Sequence, residues 1–168
     1  MIAAQGTELR ETSTAVALPI AISIAMILVA LTTAIALWPT AVRAGRPDAA
    51  ALPYTRTQQR VRRYGVLLGV LEGGALAALL IALFSVPAGS AEMWLVGLAA
   101  LCVALMIGVW AAWLRPLNAT IAGWSPEALP EDWAGHHARW STLHRMRVVL
   151  AIIALALLLM GLFPRSAA

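Results

Sequence analysis

MWLVGLAALCVALMIGVWAAWL, residues 93–114, runs for 22 residues without one charged side chain. A helix that spans a bilayer needs about 20 apolar residues, because the hydrocarbon core is about 30 Å thick and each residue rises about 1.5 Å. This stretch therefore reads as a transmembrane helix, and three more stand around it. Residues 64–86, YGVLLGVLEGGALAALLIALFSV, carry one charge, Glu72, and residues 16–38, VALPIAISIAMILVALTTAIALW, carry none. Residues 148–163 are apolar but short, so the fourth span is placed at residues 144–163, with His144, Arg145 and Arg147 at its lower end. Unpaired backbone groups cannot be left in lipid, so all four must be helical. The expected fold class is all-α: a four-helix transmembrane antiparallel bundle, with residues 1–168 forming a single membrane domain.

Composition supports this. Hydrophobic residues make up 61% of the chain and charged ones 12%, where a soluble domain is about half apolar and about a quarter charged. The mean hydropathy is +0.83. The net charge of +4 comes with twelve Arg and no Lys, mostly beside the apolar runs. In a membrane protein such charge sets topology and meets anionic lipid headgroups, so membrane lipids are the expected partners and nucleic acid is not. Cys102 stands alone inside an apolar run, which excludes an intramolecular disulfide. Glu8 and Glu11 precede the first run where a signal peptide would want basic residues, so that run reads as a retained helix.

Arg43, Arg46, Arg56, Arg60, Arg62 and Arg63 lie between the first two spans, and Arg115, Arg139, Arg145 and Arg147 between the last two. Only Arg10 and Arg165 flank the other ends. By the positive-inside tendency both long connections are cytoplasmic, and both termini lie on the non-cytoplasmic side of the cell membrane. Residues 87–92, PAGSAE, then form a tight outer turn. Asn118-Ala119-Thr120 has the form of a glycosylation acceptor on the wrong side, expected to be unused. Ser125-Pro126-Glu127 and Pro130-Glu131-Asp132 are both helix-start signals. From Pro130 one long fourth helix is predicted, extended into the cytoplasm at its amphipathic lower end.

Helices in membranes pack through small residues. Gly65, Gly69, Gly73 and Ala77 recur every four residues in the second span, and Ala100, Ala104, Gly108 and Ala112 in the third. Both ridges are expected to face the bundle, with Glu72 beside the first and Asn118 continuing the second. On the fourth helix Trp133, His137, Trp140, His144, Arg147, Ala151 and Ala154 share a sector of about 100°. These faces bring Glu72, Asn118, Trp140, His144 and Arg147 to a similar depth. Charged groups inside a membrane face an interior, where they pair or act.

The stretch RPLNATIAGW, residues 115–124, followed by a Pro-rich connection and ARWSTLHRMRVVL, residues 138–150, resembles the anthrone-oxygenase-like family of four-helix membrane proteins. Its pattern of an Asn ending the third helix and RW…H..R opening the fourth falls on Asn118, Arg139, Trp140, His144 and Arg147. The resemblance is best over residues 115–163. It implies a cofactor-free oxygenase that acts on a planar polyketide-like or other hydrophobic phenolic substrate, using neither metal nor flavin.

On that implication the catalytic candidates are Glu72, His144, Arg147 and Asn118. His144 is a general base; its alternative is an interfacial His satisfied by Glu72 or a backbone carbonyl. Glu72 is the base instead, or orients His144, or forms a buried pair with Arg147 or Arg62 that fixes helix register. Arg147 and Asn118 stabilise an enolate-like oxygen; otherwise Arg147 reaches lipid phosphate and Asn118 caps the third helix. Trp140, Trp133 and His137 are the substrate-binding candidates, against simple interface anchoring of the Trp residues. His136 and His137 diverge by about 100° on a helix, which argues against a metal. The non-catalytic alternative is a small helical membrane protein that binds a lipid or a partner protein.

Overall fold

The computed structural model describes the backbone of residues 2–43, 51–124 and 129–162, and the side chains of residues 12, 13, 15–32, 34, 67–124 and 129–161. Among the described residues every regular element is helical. Helix α1 covers Ile2–Arg43, α2 Ala51–Ser85 and α3 Ala91–Val109. A π-helical turn, Trp110–Leu114, joins α3 without a break to α4, Arg115–Ala122, and α5 covers Trp133–Leu162. Among the described residues four stretches are long and apolar enough to cross a membrane: Ala15–Thr32, Leu67–Ser85, Ala91–Ala122 and Trp133–Gly161. The chain is a four-helix integral membrane protein.

The apolar runs decide where the helices are, and local chemistry decides their ends. Helix α1 outruns the expected span on both sides and takes in Pro39. Between α2 and α3 the chain reverses through residues 86–90, as the PAGSAE stretch predicts. Gly89 sits there at φ 80°, in the left-handed region that glycine enters without a Cβ penalty. Ser90 then caps α3: its Oγ accepts from the Met93 amide at 3.1 Å. Helix α5 starts at Trp133, directly after the Pro130-Glu131-Asp132 signal. The signal at Ser125-Pro126-Glu127 lies outside the described residues.

Helix α1 packs against α2 and α5, and α3 packs against the same two, so the four form a closed ring. Its core is built from Ala21, Ala25, Ala75, Ala82, Ala99 and Ala154, interleaved with Leu28, Leu79, Val103 and Leu158. Outward faces carry Val70, Phe84, Leu101, Val149 and Met160. Large apolar side chains exposed in such number suit lipid rather than water.

Small residues thus do line the helix contacts, but they are mostly alanines and not the predicted glycine ridges. Gly69, Gly73 and Ala77 are exposed, as are Ala104, Gly108 and Ala112; of the two ridges' described members only Ala100 is buried. The side chain position of residue 65 lies outside the described set. Among the described residues of α2 the buried ones are Leu68, Glu72, Ala75, Leu79 and Ala82, which recur in steps of four and three. Bundled helices keep a period near 3.5 facing their partners. A strict four-residue ridge drifts by about 40° per step and leaves that seam.

The π turn has a local cause and a distant effect. Pro116 has no amide hydrogen to offer the carbonyl four residues back, and its ring crowds that carbonyl. The helix widens instead, with the Arg115 amide donating to the Trp110 carbonyl. One extra residue rotates everything beyond it by about 100°. The buried set accordingly jumps from Val109 to Leu114, and on to Leu117 and Ile121, while Trp113 turns outward.

Candidate functional site

A lone carboxylate in an apolar helix has to face inward, and Glu72 does, at 3% exposure. Opposite it, α5 presents His137, Trp140, His144, Arg147, Ala151, Ala154 and Leu158, all buried, at the same alternating three- and four-residue spacing. Arg139 and Arg145 are exposed, as expected of residues off that face. Arg147 Nη2 donates to Glu72 Oε1, joining α5 to α2 in a buried ion pair. The predicted reach between Glu72 and the fourth helix is present, with Arg147 as the partner. The alternative partner, Arg62, lies outside the described side chains.

His144 is different. It is 2% exposed, and neither ring nitrogen has a hydrogen-bond partner. The expected bonding of His144 to Glu72 or to a carbonyl is therefore absent. Arg147 Nε is likewise buried and unpartnered. Three unsatisfied nitrogens lie on two residues three apart, in the helix that carries the ion pair. Leaving a buried polar group unpaired costs about 1–3 kcal/mol, so native proteins rarely concentrate such groups without a use for them.

The Trp140 ring packs on His144, with centroids 4.0 Å apart and planes inclined at 57°. Its indole nitrogen donates to Asn118 Oδ1 at 3.0 Å. Leu114, Leu117, Ile121 and Val109 close round the indole, with Trp110, Trp124 and Leu143 outside them. Asn118 lies inside α4 and not at a helix end, so the expected cap is not its role. It reaches Trp140 from beyond the π turn, which rotates α4 by about 100° relative to α3; along an unbroken helix five whole turns would bring it back to the direction of Ala100. This coupling of Pro116, π turn and Asn118 was missed in the sequence, where Pro116 after a long apolar run is its only trace.

Of the substrate-binding candidates, His137 is buried with its ring 6.4 Å from that of Trp140, and Trp133 is half-buried one turn earlier. His136 points away: it bonds Asp132 Oδ2 at 3.1 Å and meets Trp124 edge-on at 5.3 Å. Trp94 and Trp113 are exposed on the outside, where amphipathic rings anchor a helix at the membrane surface. Among the described residues no three His, Cys, Asp or Glu side chains are grouped so as to hold a metal ion.

The family model described as anthrone oxygenase matches residues 61–157, a stretch that includes Glu72, Asn118, Trp133, His137, Trp140, His144 and Arg147. No curated protein matches the chain, and no solved structure does.

Proposed function

The chain belongs to the anthrone oxygenase family, and on that premise we propose that it is a membrane-embedded, cofactor-independent oxygenase of a planar phenolic substrate. The observation that carries this reading is His144: a buried imidazole with no protein partner, packed on the Trp140 ring. A neutral imidazole keeps one lone pair and one N–H, and here both are left for something the protein does not supply. His144 takes a proton from the methylene of an anthrone-type ketone. The charge left behind spreads to the ketone oxygen, which Arg147 stabilises while Glu72 holds the guanidinium in place. The electron-rich anion adds dioxygen at the former methylene carbon, and the proton held by His144 returns to give a hydroperoxide. Loss of water across the remaining C–H and the O–O bond leaves a quinone carbonyl, so one O2 is consumed and one water released. Asn118 acts as a positioning residue that fixes the Trp140 wall.

Purified protein in liposomes should convert anthrone to anthraquinone faster than protein-free liposomes, with one O2 taken up per product. A rate equal to the protein-free control would remove the enzyme reading. The rival reading, a non-catalytic protein in which Glu72 and Arg147 set helix register, is favoured by the mutual burial of that pair.

The same proposal includes the setting. The bundle is antiparallel in the cell membrane, the Arg-rich connections and the lower end of α5 are cytoplasmic, and both termini lie outside. A reporter fused after Ala168 should score as non-cytoplasmic, and a cytoplasmic score would invert the orientation.

A further inference from the structure

Helix α1 buries Ala21, Ala25, Leu28 and Thr32 at steps of four, three and four, the rhythm of the α2 and α5 seams. The first three belong to the apolar core; Thr32 ends the seam with a hydroxyl, at 0% exposure. Its proton is committed, because Oγ1 donates to the Leu28 carbonyl at 2.6 Å, with the Val29 carbonyl second at 3.3 Å. A hydroxyl has one proton and two lone pairs, so what Thr32 still offers can only accept. Such back-bonding slightly destabilises a helix, and a valine would have the same shape with no polar atom.

Three contacts fix the level of that hydroxyl. Ser13 Oγ meets Ser85 Oγ at 3.4 Å, so α1 and α2 leave one end of the bundle together. A Cβ on Gly161 would stand 3.9 Å from Leu95 Cδ1, at the start of α3, which brings the last turn of α5 to the same end. Arg147 on α5 bonds Glu72 on α2. Glu72 lies thirteen residues from Ser85, and Thr32 nineteen from Ser13. Thr32 is therefore six residues beyond Glu72, about 9 Å at about 1.5 Å each. His144 is three residues beyond Arg147 and Trp140 seven. The hydroxyl faces the interior between the levels of the His144 imidazole and the Trp140 indole, on a helix that packs directly on theirs.

We propose that Thr32 is a specificity residue of the buried cluster: its Oγ1 accepts from a phenolic O–H on the substrate whose ketone oxygen meets Arg147. This rests on the reading of the cluster as a substrate site and adds which polar group, besides the ketone, the ligand carries. The cluster then reads the ligand's two oxygens by opposite chemistry, since Arg147 Nε only donates and Thr32 only accepts. A ring without that hydroxyl leaves the lone pairs of Thr32 buried with no donor.

The test uses the full chain in phospholipid liposomes, with 2-hydroxyanthraquinone and anthraquinone as binding probes read by quenching of tryptophan fluorescence. A hydroxyl at ring position 2 is free to donate, whereas one at position 1 closes on the probe's own ketone. A mildly acidic buffer keeps the phenol protonated. Thr32→Val should bind 2-hydroxyanthraquinone about tenfold more weakly than wild type, the worth of one hydrogen bond, and anthraquinone equally well. Thr32→Ser, which keeps the oxygen, should bind both probes as wild type does. The ratio of kcat/KM for the corresponding hydroxyanthrone to that for anthrone should fall by a similar factor in Thr32→Val. If Thr32→Val is not recovered folded, Thr32→Ala carries the comparison. The same binding pattern without turnover in any protein supports the role of Thr32 and removes the oxygenase reading. Turnover by wild type with a Thr32→Val that binds both probes unchanged overturns the role of Thr32 and leaves the oxygenase reading standing. No binding of the hydroxy probe by wild type overturns it too. So does a Thr32→Val that weakens both probes equally, which marks a packing residue.

Discussion

Glu72→Ala is expected to destabilise the protein by about 3–5 kcal/mol, because truncating one member of a buried ion pair strands the other charge. Arg147 is 2% exposed and donates to Glu72 from the far side of the bundle. Without the carboxylate its guanidinium would face apolar side chains, with Nε already unpartnered. Glu92→Ala is the matched control. That carboxylate is exposed in the first turn of α3, where it gains only from the helix dipole, and its loss should be much smaller. Unfolding of both variants in mixed micelles measures the difference. Replacing the pair together, Glu72→Gln with Arg147→Met, strands no charge and should recover much of the stability. If the pair only sets register, any activity survives the double change; on the present account the protein folds and is inactive. A Glu72→Ala variant as stable as Glu92→Ala would mean that the pair contributes nothing.

The parts of this arrangement that were legible in the sequence are those that membrane energetics leaves no choice about. One carboxylate in an apolar run must turn inward, and a stripe running from His137 through Arg147 to Ala154 on one helix supplies the face that receives it. Hence the Glu72–Arg147 contact could be anticipated. The glycine ridges could not be placed, because small apolar residues cost as little facing lipid as facing a helix. Their four-residue spacing resembles a packing motif, yet the seam of the bundle follows Leu68, Glu72, Ala75, Leu79 and Ala82 instead. Asn118 was anticipated near the cluster, though by a count along an unbroken helix. It bonds Trp140 from beyond a π turn, and periodicity alone does not announce such a turn.

His144→Leu should show the opposite signature to Glu72→Ala. Its ring nitrogens bond to nothing in the protein, so replacing it with a hydrocarbon strands no partner and removes two unsatisfied groups. Such a change is close to neutral or stabilising for hydrogen bonding, offset by loss of the ring contact with Trp140, worth about 0.5–1.5 kcal/mol. Thermal stability should hold or rise. Activity should not: losing a positioned general base slows proton transfer by about 10²–10⁴-fold. Keeping a group that costs stability and carries the chemistry is the usual trade at a functional site. A histidine kept for structure would behave the other way, with stability lost and activity following it. Unfolding midpoints and anthrone turnover on one preparation separate the two cases.

The central claim is that the unpartnered imidazole inside the bundle does chemistry on a lipid-soluble ketone. It is tested most directly by the initial rate of anthraquinone formation from anthrone in air-saturated liposomes, compared between wild type, His144→Leu and protein-free membranes. The account predicts a wild-type rate well above the other two, with folded His144→Leu near the protein-free rate. Equal rates for wild type and His144→Leu, whether both fast or both at the protein-free level, would contradict it.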